Sequence, residues 1–341
     1  MKAIVLHNKG NTDQLKFEEV ETPKINDEEV LVKLKAASVN HLDVWVRMGH
    51  FPVSYPIILG CEGAGDIAEI GKNVEDFKKG DKVVVMPSIT CGQCEYCLTG
   101  NDNLCKNAKR LGMTVNGCYA EYVKIPKQNL LLMNDKFSYE EAASVPVVFG
   151  TAWRVLMSLA KIKQGEMVLI QAAGSGVGTA AIQIAKFTGA KVIAAAGNDE
   201  KLDKAKELGA DLLVNYYRNQ NFDEEVRYLT NGNGVDVVIE QVGGNILLKS
   251  LNCLKRGGRI VVLGTTAGNK VEFDVQHFYR NNLIMLGTSG ITQKEIRDVF
   301  ELVKNEKLKP VIDREFSLRD ASLAHKYMEE RKNFGKIVLK P

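Results

Sequence analysis

The chain has 341 residues, 45% hydrophobic and 26% charged, which at about 150 residues per domain suggests two domains with ordinary cores. Lys and Arg number 45 against 42 Asp and Glu, and a net charge of +3 spread along the chain excludes an electrostatic nucleic-acid surface or a polybasic membrane surface. No uncharged apolar run approaches the ~18 residues of a membrane span, and Met1 to Lys16 lacks the apolar core of a secretion signal, so a soluble cytoplasmic protein acting on a small molecule is expected.

From residue 1 to about 135 the signals are short and strand-like. Met1 to Lys16 alternates, Val30 to Ala37, Gly65 to Ile70 and Lys82 to Met86 are β-rich, and the breakers Pro23, Gly49, Pro56, Gly71, Gly80 and Pro87 are irregularly spaced. This texture predicts an antiparallel or barrel-like β domain. Tyr139 to Ala160 then has helical spacing. Beyond it the apolar runs Met167 to Ala172, Lys191 to Ala196, Asp211 to Val214, Val235 to Ile239, Arg259 to Leu263 and Asn282 to Leu286 alternate with amphipathic segments. Alternation of this kind predicts βαβ units and a parallel sheet with helices on both faces. Two helices, Glu295 to Lys304 and Arg319 to Arg331, and a last strand, Gly335 to Lys340, complete the chain.

Seven cysteines are an odd set: Cys61, Cys118 and Cys253 stand alone, whereas Cys91, Cys94, Cys97 and Cys105 crowd into one loop. That is a metal pattern, not a disulfide framework. Two-residue spacers let a turning backbone aim successive thiolates at one tetrahedral Zn²⁺, and Gly92 and Gly100 relax the turns. Iron–sulfur ligation uses an overlapping spacing, but the distant fourth cysteine and the lack of a proline after it favour zinc. Four thiolates leave no open coordination position, so this ion would be a staple.

After Met167 to Ala172 comes Ala173-Gly174-Ser175-Gly176-Val177-Gly178 and then the helical Thr179 to Phe187. Small residues between a strand and a helix let backbone N–H groups approach a pyrophosphate, with the helix N-terminus adding a favourable dipole. The next strand ends in Ala195-Ala196-Gly197-Asn198, without the carboxylate that accepts from the ribose of NAD. Lys201 follows within reach, Arg218 is a second candidate phosphate ligand, and Asp199 and Glu200 come one or two places late, so NADP(H) is expected over NAD(H).

Several stretches together make the chain resemble the medium-chain dehydrogenase/reductase superfamily, the zinc alcohol dehydrogenases and quinone oxidoreductases. They are Gly60-Cys61-Glu62-Gly63-Ala64-Gly65, the four-cysteine lobe, Gln171 to Gly178, Gly257 to Gly264, and Phe334-Gly335-Lys336-Ile337-Val338-Leu339. The resemblance implies an α/β protein with a GroES-like β-barrel catalytic domain (1–149 and 287–341, with the lobe at 91–105) and a Rossmann doubly wound parallel-sheet cofactor domain (150–286). It also implies that Gly243, Gly264, Thr265, Gly287 and Thr288 lie along the dinucleotide. A homodimer or homotetramer paired through Asn282 to Leu286 is implied as well.

The departures from that family are informative. Where zinc alcohol dehydrogenases hold a catalytic metal by two cysteines and a histidine, this chain has Asn40, Cys61 and approximately Val147, and the relay hydroxyl position is Leu42. An amide is a poor Zn²⁺ ligand and valine is none. Asn40 with Asp43 resembles the zinc-free quinone oxidoreductases, which usually lack the cysteine lobe. The leading expectation is hydride transfer to a quinone, enone or aldehyde, with Asn40 donating a hydrogen bond to the acceptor oxygen and Trp45, Phe51 and Tyr55 as pocket walls. Two alternatives stand beside it. One is an alcohol dehydrogenase with a second, rearranged zinc held among His41, Asp43, Cys61 and Glu62; the other is a cofactor-binding protein with little catalysis.

Overall fold

In a computed structural model describing residues 1–341, the chain divides into one unit of Met1–Gly150 with Ile291–Pro341 and another of Thr151–Gly290. The first is built on the strand Glu29–Val39, where Val32 and Leu34 are buried and Lys33 and Lys35 point outward. That period-two alternation covers one face of the strand with core and leaves the other to water. Gly63–Ile70, Tyr122–Pro126 and Lys336–Lys340 all pair with it antiparallel. Lys82–Val85 and Leu130–Leu132 extend one side, and Ile312–Ser317, parallel to Lys336–Lys340, extends the other. The helix His41–Met48 follows the central strand directly and ends at Gly49, whose φ of 82° is a left-handed stop that suits glycine. No helix is long and apolar enough to cross a membrane.

Two expected elements divide. Met1 to Lys16 is a hairpin of Lys2–Leu6 and Leu15–Glu19, in register from Lys2 with Glu19 to Leu6 with Leu15. The polar stretch between them supplies the turn. Tyr139 to Ala160 breaks into Tyr139–Ala143 and Pro146–Trp153, and a π-helical stretch, Arg154–Leu159, continues the second. Pro146 cannot donate a helical hydrogen bond and clashes with the preceding turn, so the helix restarts there.

The second unit is an all-parallel six-stranded sheet. Its spatial order is Leu212–Asn215, Lys191–Ala196, Met167–Ile170, Val235–Glu240, Leu254–Val262, Ile284–Gly287. This is the doubly wound order that reverses between Met167–Ile170 and Val235–Glu240, and in such sheets ligands bind beyond the carboxyl ends of the strands at the reversal. The first of these strands stops at Ile170 rather than Ala172, because Ala172 takes a left-handed φ of 48° in the following turn.

Candidate active site and metal centre

Glu62 is the centre of the catalytic candidates. It is fully buried just after Cys61, and four donors converge on its carboxylate. Oε1 accepts from Ser38 Oγ at 2.5 Å, Asn40 Nδ2 at 2.8 Å and Lys336 Nζ at 2.9 Å. Oε2 accepts the backbone N–H of Val147 at 2.7 Å, at the start of the helix Pro146–Trp153, where an anion is favoured by the unsatisfied amides. Lys336 Nζ uses its other protons on the Val39 carbonyl at 3.0 Å and Asn40 Oδ1 at 2.7 Å. Asn40, Cys61 and Val147, the three positions where the resemblance puts metal ligands, thus converge around a buried ion pair.

This geometry corrects two expectations. Asn40 is not a free donor: its Oδ1 is held by Lys336, and its Nδ2 is turned toward Glu62, with Cys61 Sγ and the Ser38 carbonyl each at 3.4 Å. Nor do His41, Asp43, Cys61 and Glu62 assemble as a ligand set. Glu62 faces Lys336, Asp43 faces the Asn40 amide and Tyr119, and the exposed His41 packs edge-on against Trp45 at 5.2 Å between ring centres. Phe51 continues this aromatic row beside Trp45, and Tyr55 packs against the core. Cys61 is buried, and that burial, with the carboxylates of Asp43 and Glu62 nearby, pushes its thiol well up, so it is held protonated.

Behind this centre, Asp43 Oδ2 accepts from Asn40 N at 2.8 Å and from Tyr119 Oη at 3.0 Å. Tyr119 Oη accepts in turn from His325 Nε2 at 3.2 Å, leaving His325 Nδ1 without a partner. Burial lowers His325 to about 3, so it is neutral. Arg47, itself buried, makes a bidentate pair with Glu329 at 2.7 and 3.1 Å, tying His41–Met48 to the helix that carries His325.

Burial also pushes Asp43 up to about 7, against a value near 3.9 in an unfolded chain. Between these values the folded chain holds a proton that the unfolded chain lacks. This contribution to stability is therefore complete below about pH 4 and is lost as pH rises through 7. Asp43→Asn keeps an oxygen acceptor for both donors and cannot titrate. Relative to wild type it is expected to gain about 4 kcal/mol of stability between pH 4 and pH 8 in denaturant titrations. A difference that stays flat with pH would contradict the assignment.

The four-cysteine lobe is a separate centre. The sulfurs of Cys91, Cys94, Cys97 and Cys105 all lie within 4.8 Å of one another, with Cys91 to Cys105 and Cys94 to Cys97 at 3.5 Å and Cys91 to Cys97 at 3.9 Å. Zinc–thiolate bonds of about 2.3 Å place tetrahedral sulfurs roughly 3.8 Å apart, so the set fits one Zn²⁺. Backbone N–H groups of Gln93 and Cys94 lower Cys91 to about 6, which favours its thiolate.

In the second unit the turn after Met167–Ile170 is tight. A Cβ on Gly178 would stand 2.6 Å from the carbonyls of Ala172 and Ala173, and Ser175 Oγ caps the helix Gly176–Phe187 by accepting Gly178 N at 3.0 Å. Gly174, Gly176 and Val177 complete this turn and helix start. The backbone amides there fit a pyrophosphate. Gly243, Gly264 and Thr265 meet beyond the ends of the next two strands: a Cβ on Gly243 would lie 3.0 Å from Thr265 Cα, and one on Gly264 would lie 2.5 Å from the Gln241 carbonyl. Gly287 has open space where its Cβ would be, whereas the Thr288 hydroxyl accepts from Arg154 Nε at 2.8 Å. At the tip of Lys191–Ala196, Asn198 caps a helix by accepting from Lys201 N at 2.9 Å, and Asp199 is held by Asn215 Nδ2 at 2.9 Å and by the Arg218 guanidinium.

Lys336, Ser38, Tyr119 and His325 carry no local signal of these roles. Lys336 is the buried first residue of the otherwise apolar run Lys336–Leu339, and His325 lies on the buried stripe Ala321, Ala324, His325, Met328; those are the only hints in the sequence.

Comparison with known proteins agrees with this architecture. Residues 26–135 match the alcohol dehydrogenase GroES-like domain and residues 176–305 the zinc-binding dehydrogenase family. An NAD-dependent alcohol dehydrogenase of Sulfolobus acidocaldarius is 36% identical, covering 100% of this chain and 99% of that protein. An acryloyl-coenzyme A reductase of Sulfurisphaera tokodaii is 33% identical over 100% of both chains. Among solved structures, an NAD-dependent alcohol dehydrogenase superposes with a TM-score of 0.97 at 40% identity over 100% of both chains. The Escherichia coli quinone oxidoreductase complexed with NADPH gives 0.86 at 27% identity, again over 100% of both. With its GroES-like domain and its parallel-sheet dinucleotide domain, the chain belongs to the zinc-containing alcohol dehydrogenase family of the medium-chain dehydrogenase/reductase superfamily, and is an NAD(P)-dependent oxidoreductase.

Proposed function

We propose that this oxidoreductase reduces a conjugated carbonyl compound, an enone, a quinone or an unsaturated acyl thioester, without a catalytic zinc. The observation that carries the reading is the Lys336–Glu62 pair: a fixed ammonium already satisfies the acceptors on which a metal would depend, beside an amide and a valine. When bound, the nicotinamide supplies hydride. An isolated carbonyl needs an electrophile for the developing alkoxide, whereas a conjugated acceptor spreads that charge. The relative named as an acryloyl-coenzyme A reductase supports the conjugated class, and the relatives named as alcohol dehydrogenases support the competing one. Activity screening separates them. Reduction of enones, quinones or acryloyl thioesters that persists with a chelator, and no oxidation of simple alcohols, is expected; chelator-sensitive alcohol oxidation would overturn the proposal.

The same reading takes NADP(H) as the preferred cofactor. Ala196 leaves the strand tip without a carboxylate, and the nearest one, Asp199, is neutralised by Arg218. Lys201 adds positive charge in the first turn of the following helix. Ala196→Asp would place a carboxylate at the strand tip, where it would repel a 2′-phosphate and accept from a ribose hydroxyl, and is expected to shift the NADPH-to-NADH affinity ratio toward NADH by at least about tenfold. Tighter NADH than NADPH binding by the wild type would contradict the assignment.

A further inference from the structure

The ends of the neighbouring parallel strands Met167–Ile170 and Val235–Glu240 are joined by buried side chains as well as by the sheet. Glu240 ends the second strand and is fully buried, with no cation paired to it. Its Oε1 accepts the backbone N–H groups of Val242 at 2.6 Å and Gly243 at 3.0 Å, and its Oε2 accepts the Ser250 hydroxyl at 2.7 Å. Ser250 Oγ accepts from Gln171 Nε2 at 3.1 Å, and Gln171 directly follows the first strand. A return path runs from Gln241 Nε2 to the Gln171 carbonyl at 2.7 Å. It continues from Ser175 Oγ to Gln241 Oε1 at 3.3 Å, and Ser175 is the residue that caps the phosphate-turn helix. The loop of hydrogen bonds includes both turns.

A carboxylate buried without a cation is costly unless its donors are fixed, and these are. Gly243 and Gly244 have φ of 76° and 53°, and their turn is wedged against the next one by Gly244 N to Gly268 O at 3.1 Å and Ala267 N to Val242 O at 2.7 Å. A short turn between a strand and a helix does not need such a carboxylate. Holding two separate turns in one arrangement does.

We infer that the buried Glu240, Ser250 and Gln171, with the half-buried Gln241, form a strut that sets the turn 241–244 relative to the phosphate-receiving turn 172–178 before the dinucleotide arrives. Glu240 is thus a positioning residue for cofactor binding. The functional half of this inference rests on the NAD(P) assignment above. Preorganised contacts at two points benefit a ligand that spans both and not a fragment that reaches only one.

Ser250→Ala removes the joint between Glu240 and Gln171, and Gln241→Leu cuts the return path should the first variant fold poorly. Each is expected to weaken binding of the preferred NAD(P)H about tenfold in titration calorimetry while leaving 5′-AMP within about twofold. In the cofactor-free protein, the amides of Val242 and Gly243 should exchange with deuterium at least about tenfold faster. Glu240→Gln, whose Oε1 keeps an acceptor for both amides and whose Nε2 can donate to Ser250 Oγ and so keep that joint, should stay within about threefold of wild type in all three measurements. Equal weakening of dinucleotide and AMP, or unchanged binding and exchange, would overturn the strut. A wild-type protein that bound neither NADH nor NADPH would instead defeat the cofactor assignment, and amide exchange would still decide whether the strut exists.

Discussion

Replacing Lys336 with methionine is expected to lower the unfolding free energy by about 3–5 kcal/mol, the usual cost of leaving one partner of a buried ion pair uncompensated. The side chains of Lys336 and Glu62 are only 4% and 0% exposed, so solvent cannot take the place of the lost ammonium. Three acceptors lose a donor at once: Glu62 Oε1, Asn40 Oδ1 and the Val39 carbonyl. The double variant Lys336→Met, Glu62→Gln removes both charges and should recover part of the loss, giving a coupling energy from the thermodynamic cycle. A single-variant loss below about 1 kcal/mol would mean that the pair does not organise this centre.

Cys94→Ser is the second large effect. With one thiolate gone, the remaining three do not complete a tetrahedral site, and the lobe is expected to lose its zinc. Closing a loop of about 15 residues by a cross-link is worth about 3 kcal/mol in chain entropy alone, so stability should fall by at least that much. Turnover per folded molecule should stay within about twofold, because four thiolates offer substrate no open coordination position. Melting curves and metal content measured on the same sample check this. A metal-free variant with an unchanged melting temperature would contradict the staple role.

What could be read from the sequence depended on the range of the interaction. The parallel sheet was legible because each strand is a local apolar run bounded by amphipathic helices, as in Lys191–Ala196 before Asp199–Glu207. The cysteine lobe was legible because its four ligands fall within one short loop. That Asn40 and Val147 are unsuited as zinc ligands, leaving only Cys61 of the three positions, was visible too, but not what fills the space. Lys336 reaches Glu62 across 274 residues of chain, and His325 reaches Tyr119 across 206, and no periodicity records such a pairing. For the same reason Asn40 looked like a free donor until both ends of its amide were found engaged. The interrupted helix between Tyr139 and Trp153 was a different failure, since Pro146 is a local breaker whose effect was masked by continuous helical spacing on both sides.

On the function proposed above, the cysteine lobe is the chain's metal site and the Lys336–Glu62 pair stands in place of a catalytic metal. Zinc content per chain tests it most directly, measured by elemental analysis of protein purified without chelator and active on an enone or quinone. About one equivalent is expected, falling to about zero in Cys94→Ser. Two equivalents in the active wild-type protein, with one retained in Cys94→Ser, would contradict it.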